Sequence, residues 1–143
     1  MEHHPYNLIS LAARVREKAN QWLMSRLEQE GITGLAPSHG DLLVALFKNE
    51  RLTMGDLAVL IDRDKSTVTA LVDKLTRLGL VDRERDSADG RIVWVQATPQ
   101  AKALIPAFQA LGRDFWEVVY RGFTPEERNT LASLLGRVNE NLR

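Results

Sequence analysis

Asp64-Lys65-Ser66-Thr67-Val68-Thr69-Ala70-Leu71-Val72-Asp73-Lys74-Leu75-Thr76-Arg77-Leu78-Gly79 is the stretch whose reading decides the fold. On a helical wheel Val68, Leu71, Val72, Leu75 and Leu78 gather on one face, spaced by threes and fours as a buried stripe requires. The opposite face carries Ser66, Thr69, Ala70, Asp73 and Arg77, with Lys65, Thr67 and Lys74 towards its edges. Its outward groups are short and polar near the start, and longer and charged towards the end. A helix kept only for solubility would carry long Lys and Glu side chains throughout. A helix that enters a DNA groove needs small groups where it meets base edges and cations where it passes phosphates.

Working outward, Thr53-Met-Gly-Asp56 has the spacing of a capping box, with Asp in place of the usual Glu. Leu57, Ala58, Leu60 and Ile61 then give a short helix its apolar face. The break Asp62-Arg-Asp64 is tight, and Asp64 can cap the next helix. This is the layout of a helix-turn-helix over about residues 53–79. Gly79 stops the second helix. Leu80–Arg85 reads as a strand, Asp86-Ser-Ala-Asp-Gly90 as a turn with Gly90 taking positive φ, and Arg91–Ala97 as the returning strand. A hairpin over about 80–97 attached to such a helix is a wing, with Arg85 and Arg91 at its base within reach of an adjacent minor groove.

These residues resemble the winged-helix regulators of the MarR family. The likeness is carried by Leu57-Ala58, Ser66-Thr-Val-Thr69, Leu75, Gly79-Leu-Val, Asp89-Gly-Arg91 and Thr98-Pro99, and it extends over nearly the whole chain. The wing pair Asp89 and Arg91 is its most specific element. Two positions depart from the pattern: Asp62 stands where Gly is common, and Arg63 where an apolar residue is common. Asp tolerates left-handed geometry better than most residues, and Arg63 can reach solvent. The resemblance implies that Arg91 enters the minor groove while Asp89 holds it in place. It also implies a homodimer, and a small, often aromatic effector bound among helices near the dimer interface.

Composition sets bounds. The chain has 143 residues, 44% hydrophobic and 27% charged, which suits one globular domain. No run approaches the length of a membrane span, and Met1-Glu-His-His-Pro-Tyr6 lacks the basic and apolar regions of a signal peptide; a cytoplasmic location is expected. Cysteine is absent, which removes disulfides, thiolate nucleophiles and thiol redox sensing. Lys plus Arg and Asp plus Glu each number 19. Even residues 62–91 balance, with Arg63, Lys65, Lys74, Arg77, Arg83, Arg85 and Arg91 against Asp62, Asp64, Asp73, Asp82, Glu84, Asp86 and Asp89. A DNA-binding domain more often shows a positive patch. The balance therefore keeps a second reading open, a winged-helix interaction module that binds protein and not DNA.

Flanking helices complete the plan. Leu8, Leu11, Ala12, Val15, Ala19, Trp22, Leu23 and Leu27 recur at helical spacing over about 7–30, and Gly31 ends that helix. Ser38-His-Gly-Asp41 reads as a capping box opening a helix through Leu42, Leu43, Leu46 and Phe47, and Asn49-Glu-Arg51 as a link. After the wing, Thr98 caps and Pro99 takes the first helical position. Ala101 to Val119 forms a long apolar-faced helix that Pro106 should kink or delay. Thr124-Pro-Glu-Glu127 opens a last helix striped by Leu131, Leu134, Leu135, Val138 and Leu142. The predicted fold is mainly α with a small β-hairpin wing, a single winged-helix regulator domain over 1–143. Its helices at about 7–30 and 99–142 have more apolar face than the central unit can cover. A two-fold homodimer covers the excess, and sets two recognition helices about 34–36 Å apart on successive major grooves of a pseudo-palindromic site.

The candidate DNA contacts follow. Ser66, Thr67 and Thr69 carry hydroxyls suited to bases or nearby phosphates, against the plain alternative of helix-start polarity. Thr53, Lys65, Lys74, Arg77 and Arg85 are candidate phosphate contacts, against solvated charges or a cap. Asp89 and Arg91 form the wing pair. Asp73 either accepts from cytosine N4 or orients Arg77 one turn on. For an effector the candidates are Trp22, His39, Phe108 and Trp116, against the commoner readings of helix-start polarity for His39 and core for the three aromatics. No cofactor is expected. The histidines are His3, His4 and His39 alone; no catalytic motif and no convincing metal ligand set is present, so an enzyme is not expected.

Overall fold

The computed structural model describes residues 6–143; His3, His4 and most of the segment read for targeting features lie outside the described residues. Its elements are α1 (Tyr6–Gln29), α2 (Pro37–Phe47), β1 (Leu52–Thr53), α3 (Met54–Leu60), α4 (Lys65–Arg77), β2 (Val81–Arg85), β3 (Val93–Ala97), α5 (Pro99–Lys102), α6 (Ile105–Val119) and α7 (Pro125–Asn141). They fall into two compact units, Met1–Leu111 and Gly112–Arg143.

In the first unit the stripes of α2, α3 and α4 and the inner face of a small sheet share one core. Leu42, Leu43, Leu57, Val68, Val72, Leu75, Val81 and Val95 are its largest fully buried side chains. Removing each from water is worth about 1.5–3 kcal/mol, so the helix-turn-helix and the wing are held by the same apolar contacts. The sheet is antiparallel in the order β1-β3-β2, with Leu52 opposite Val95, and Val81 to Arg85 opposite Ala97 to Val93. The sequence does not predict β1, which falls between the link at Asn49–Arg51 and the helix cap read at Thr53. Its two residues are too short for alternation to show, and its pairing with β3 makes it a strand.

Helix ends follow the capping chemistry closely. Thr53 and Asp56 exchange side-chain and backbone bonds at 3.1 Å, and Asp64 accepts the Thr67 N–H at 2.7 Å. The turn between α3 and α4 puts Asp62 at φ 53, the left-handed geometry expected of it. At the end of α4, Gly79 takes φ 75 while its N–H reaches the Thr76 carbonyl and that of Leu80 the Leu75 carbonyl. This Schellman closure corrects the stripe at one place. Leu78 is the cap residue and is 41% exposed, and Leu80 is buried instead.

Two further expectations are corrected, and a third resolves between its alternatives. α2 begins at Pro37 rather than after Ser38; its cap residue is Ala36, whose N–H donates to Nδ1 of His39 at 2.8 Å. Pro37 in the first turn and an imidazole acceptor at the third position replace the Ser–Asp pair. Gly90 does not take positive φ, because carboxylates from Asp86 and Asp89 hold the wing turn. The helix after the wing is two helices, α5 and α6, broken at Ala103–Leu104. Pro106 has no N–H to continue the α5 ladder, so α6 starts afresh, one of the outcomes expected of that proline.

In the second unit Thr124 and Glu127 form a reciprocal capping box at the start of α7. Phe115, Trp116, Tyr120 and Phe123 make a run of ring contacts at 5.1–5.8 Å between centroids, with the Arg128 guanidinium over Tyr120. No residue of α7 is buried, and Leu131, Leu134, Leu135 and Leu142 are exposed. In the first unit, Leu8, Ile9, Leu11 and Val15 of α1 are likewise exposed.

Candidate nucleic-acid interface

α4 presents the edge read from its sequence. Lys65, Ser66, Thr69, Ala70 and Arg77 are exposed, while Thr67, Asp73 and Lys74 are half-buried. The hydroxyls are engaged locally. Ser66 Oγ donates to Asp64 at 2.9 Å, and Thr69 Oγ1 donates to the Lys65 carbonyl at 2.8 Å. The Asp64 carboxyl sits below the usual carboxylate range, first because the Thr67 N–H donates to it and then because the Thr67 and Ser66 hydroxyls do.

Beside α4 the wing is built around acids. Asp86 accepts the N–H groups of Ala88 and Asp89 through one oxygen and the Trp94 indole N–H through the other. The Arg51 guanidinium lies 4.0 Å from the centroid of the Trp94 ring, a cation–π contact tying β3 of the wing to the segment before β1. These donors, the indole first, lower the Asp86 pKa. Asp89 takes the Arg91 backbone N–H and both side-chain donors Nε and Nη2 at 3.0 Å. A bidentate pair fixes the plane of the guanidinium, yet the Arg91 side chain is 91% exposed. The tip thus holds a positioned cation in solvent. The pair lowers the Asp89 pKa and raises that of Arg91.

Other candidates are placed differently. Arg85 is exposed but spends one donor on the Gly90 carbonyl at 2.9 Å, bracing the wing turn. Asp73 accepts from Arg83 of β2 at 2.8 Å, linking the wing to α4, and not from Arg77 on its own helix. Lys74 is near enough for its charge to act on His39. Thr53 serves as a helix cap at the end of β1. Sequence reasoning missed Arg51, Arg83 and Trp94. The spacing Asp86-x-x-Asp89 carried a signal for the turn, whereas the partners of Arg83 and Trp94 lie across the fold.

Among the effector candidates, His39 is buried, with its pKa lowered by desolvation and then by the Lys74 charge. Phe108 packs edge-on to Phe47 at 5.5 Å and faces Gly40. Trp22 is half-buried under Arg26. All three belong to the first unit, whereas Trp116, 54% exposed and stacked on Tyr120, belongs to the second. Among the described residues no cluster of His, Cys, Asp or Glu is placed to hold a metal ion, and no helix is long and apolar enough to cross a membrane.

Residues 33–92, which carry the helix-turn-helix, β2 and the wing turn but stop short of β3, match the model of the MarR family. The Bacillus subtilis protein YcgE, described as an uncharacterized HTH-type transcriptional regulator, is 35% identical over 107 residues, covering 73% of this chain and 68% of its own. The chain belongs to the MarR family. It is a DNA-binding transcriptional regulator of winged helix-turn-helix fold. The B. subtilis transcriptional repressor YetL is 30% identical over 111 residues, covering 76% of this chain and 66% of its own. Solved structures share the fold. The S. aureus MepR–DNA complex superposes with a TM-score of 0.84 at 22% identity, over 98% of this chain and 99% of that one. Bordetella bronchiseptica BpsR, in a structure concerned with regulation of its DNA binding by 6-hydroxynicotinic acid, gives 0.80 at 20% identity, over 97% and 95%.

Proposed function

We propose that this MarR-family protein works as a homodimeric repressor, the whole chain forming one regulator domain that occupies a pseudo-palindromic DNA site in the cytoplasm. The observation that carries this reading is the pairing of an exposed, small-residue edge on α4 with a wing tip where Asp89 holds Arg91 out in solvent. In this reading Ser66, Thr67 and Thr69 meet base edges and nearby phosphates. Lys65, Lys74, Arg77, Arg85 and Thr53 pass the backbone, and Arg91 enters the minor groove. Dimerisation is supported by the uncovered apolar side chains of α1 and α7, since exposed apolar surface on that scale marks a partner. Repression is supported by the relative YetL, which bears the name of repressor.

An effector of small aromatic or amphipathic character is part of the same reading, supported by the BpsR structure and its 6-hydroxynicotinic acid. Such a ligand acts only if it binds one dimer geometry better than another. Binding that moves the two α4 helices off half-site spacing releases DNA. The deciding experiment is selection of bound duplexes from a random pool, followed by footprinting. An inverted repeat with half-sites one helical turn apart is expected. Recovery of no sequence preference would sink the reading.

A further inference from the structure

We propose that Ser66 and Thr69 read DNA as hydrogen-bond acceptors only, and that with the methyl groups of Thr69 and Ala70 they select A·T pairs in each half-site. This rests on the reading of α4 as the groove-facing helix. A hydroxyl owns one proton and two lone pairs. The Ser66 proton is committed to the Asp64 carboxylate at 2.9 Å, and the Thr69 proton to the Lys65 carbonyl at 2.8 Å. The first is a charge-assisted bond, roughly twice as strong as a neutral one. Turning that proton towards a base would forfeit it, and the second is the ordinary back-bond of a helical threonine. Both residues are exposed and lie one turn apart, so what they offer outward is lone pairs.

In the major groove only adenine N6 and cytosine N4 are donors, whereas guanine N7 and O6 and thymine O4 are acceptors. An acceptor edge is matched by an exocyclic amine and repelled by guanine. The exposed methyls of Thr69 and Ala70 add an apolar surface beside it, which suits the thymine methyl. An A·T pair offers the amine and the methyl together; a C·G pair offers the amine alone. Positions 65–70 contain no Arg, Asn or Gln, and their one cation, Lys65, is assigned to the phosphate backbone, so this edge supplies no two-pronged contact to guanine or adenine. The hydroxyl polarity therefore decides the preference.

The test uses the full chain and the duplex it selects. At each A·T pair of the half-site, adenine is replaced by purine, which lacks the N6 amine, and separately thymine by uracil, which lacks the methyl. Binding is followed by fluorescence anisotropy. Removing the amine under α4 should weaken binding about tenfold, the size of a base contact, and Ser66→Ala or Thr69→Val should abolish that sensitivity at its own position. Asp64→Asn keeps an oxygen for the Thr67 N–H but offers Ser66 a neutral acceptor, freeing its proton; tolerance of guanine at the Ser66 position should rise. The proposal is overturned if duplex binding persists while amine removal costs nothing at every position. It is equally overturned if the column altered by Ser66→Ala or Thr69→Val demands guanine. Absence of any duplex binding would overturn the regulator reading itself, and this inference with it.

Discussion

Salt is the perturbation that most directly probes the surface assigned to DNA. Lys65, Lys74 and Arg77 on α4 and Arg85 on the wing are the cations assigned to phosphates, Lys74 half-buried and the other three exposed. Arg85 keeps further N–H donors after bracing Gly90. One phosphate neutralised by each, in both protomers, gives about eight contacts, and a slope of log affinity against log salt near −7. Between 50 and 200 mM monovalent salt, affinity should then fall by about four decades. Anisotropy titrations of a labelled duplex carrying the selected site, at five or six salt concentrations, measure the slope. Arg77→Ala removes one contact per protomer and should flatten it by roughly two. A slope near zero, or one that Arg77→Ala and Lys65→Ala leave unchanged, would refute the assignment and favour a module that binds protein.

Three further outcomes are expected. Arg91→Ala should weaken binding to the selected site by about tenfold to a hundredfold, as loss of a groove contact does; wild-type affinity in a gel-shift titration would remove Arg91 from the interface. Thr98→Val should cost about 1–3 kcal/mol in urea unfolding. Its buried hydroxyl both caps α5 through the Ala101 N–H and donates to the Gly79 carbonyl; an unchanged midpoint would contradict this. For pH, His39 has a lowered pKa in the folded chain, from desolvation first and the Lys74 charge second. The unfolded chain therefore takes up the proton more readily, so His39's contribution to stability is full above about pH 6.5 and is lost as pH falls below it. The urea midpoint should drop between pH 7 and 5, and drop less in His39→Asn.

Much of this was legible because it depends on short-range rules. The α4 stripe, the caps at Thr53, Asp64, Thr98 and Thr124, the left-handed Asp62 and the pairing of Asp89 with Arg91 are all set within four residues. What sequence could not give depends on what the fold brings near. Leu78 fits the helical period, but closure on Gly79 leaves it exposed and buries Leu80 in its place. Gly90 looked like the flexible point of the wing, yet the two aspartates supply the turn by hydrogen bonding. Ser38 looked like a cap, but the imidazole of His39 took the role from the third helical position. Asp73 chose Arg83, ten residues away and on another element, over Arg77 on its own helix.

Those side-chain partners also resolve how a stretch with balanced charge can face a polyanion. Within 62–91 four of the seven acids, Asp64, Asp73, Asp86 and Asp89, each accept hydrogen bonds from named donors: a helix N-terminus, an arginine of β2, the wing amides with an indole, and Arg91. Each carboxylate is thereby directed into the protein's own bonding, while Lys65, Arg77 and Arg91 extend into solvent. Formal charge counts both kinds equally; a phosphate a few ångströms from the surface does not, because at a Debye length near 10 Å local geometry governs the field. The acids set the shape that the cations display. Neutralising one of them by substitution should therefore weaken DNA binding despite raising the net positive charge. Asp89→Asn is the clean case: simple charge counting demands tighter binding, and loss of the bidentate hold on Arg91 demands weaker. A tighter complex at 100 mM salt would show that net charge, and not placement, governs this surface.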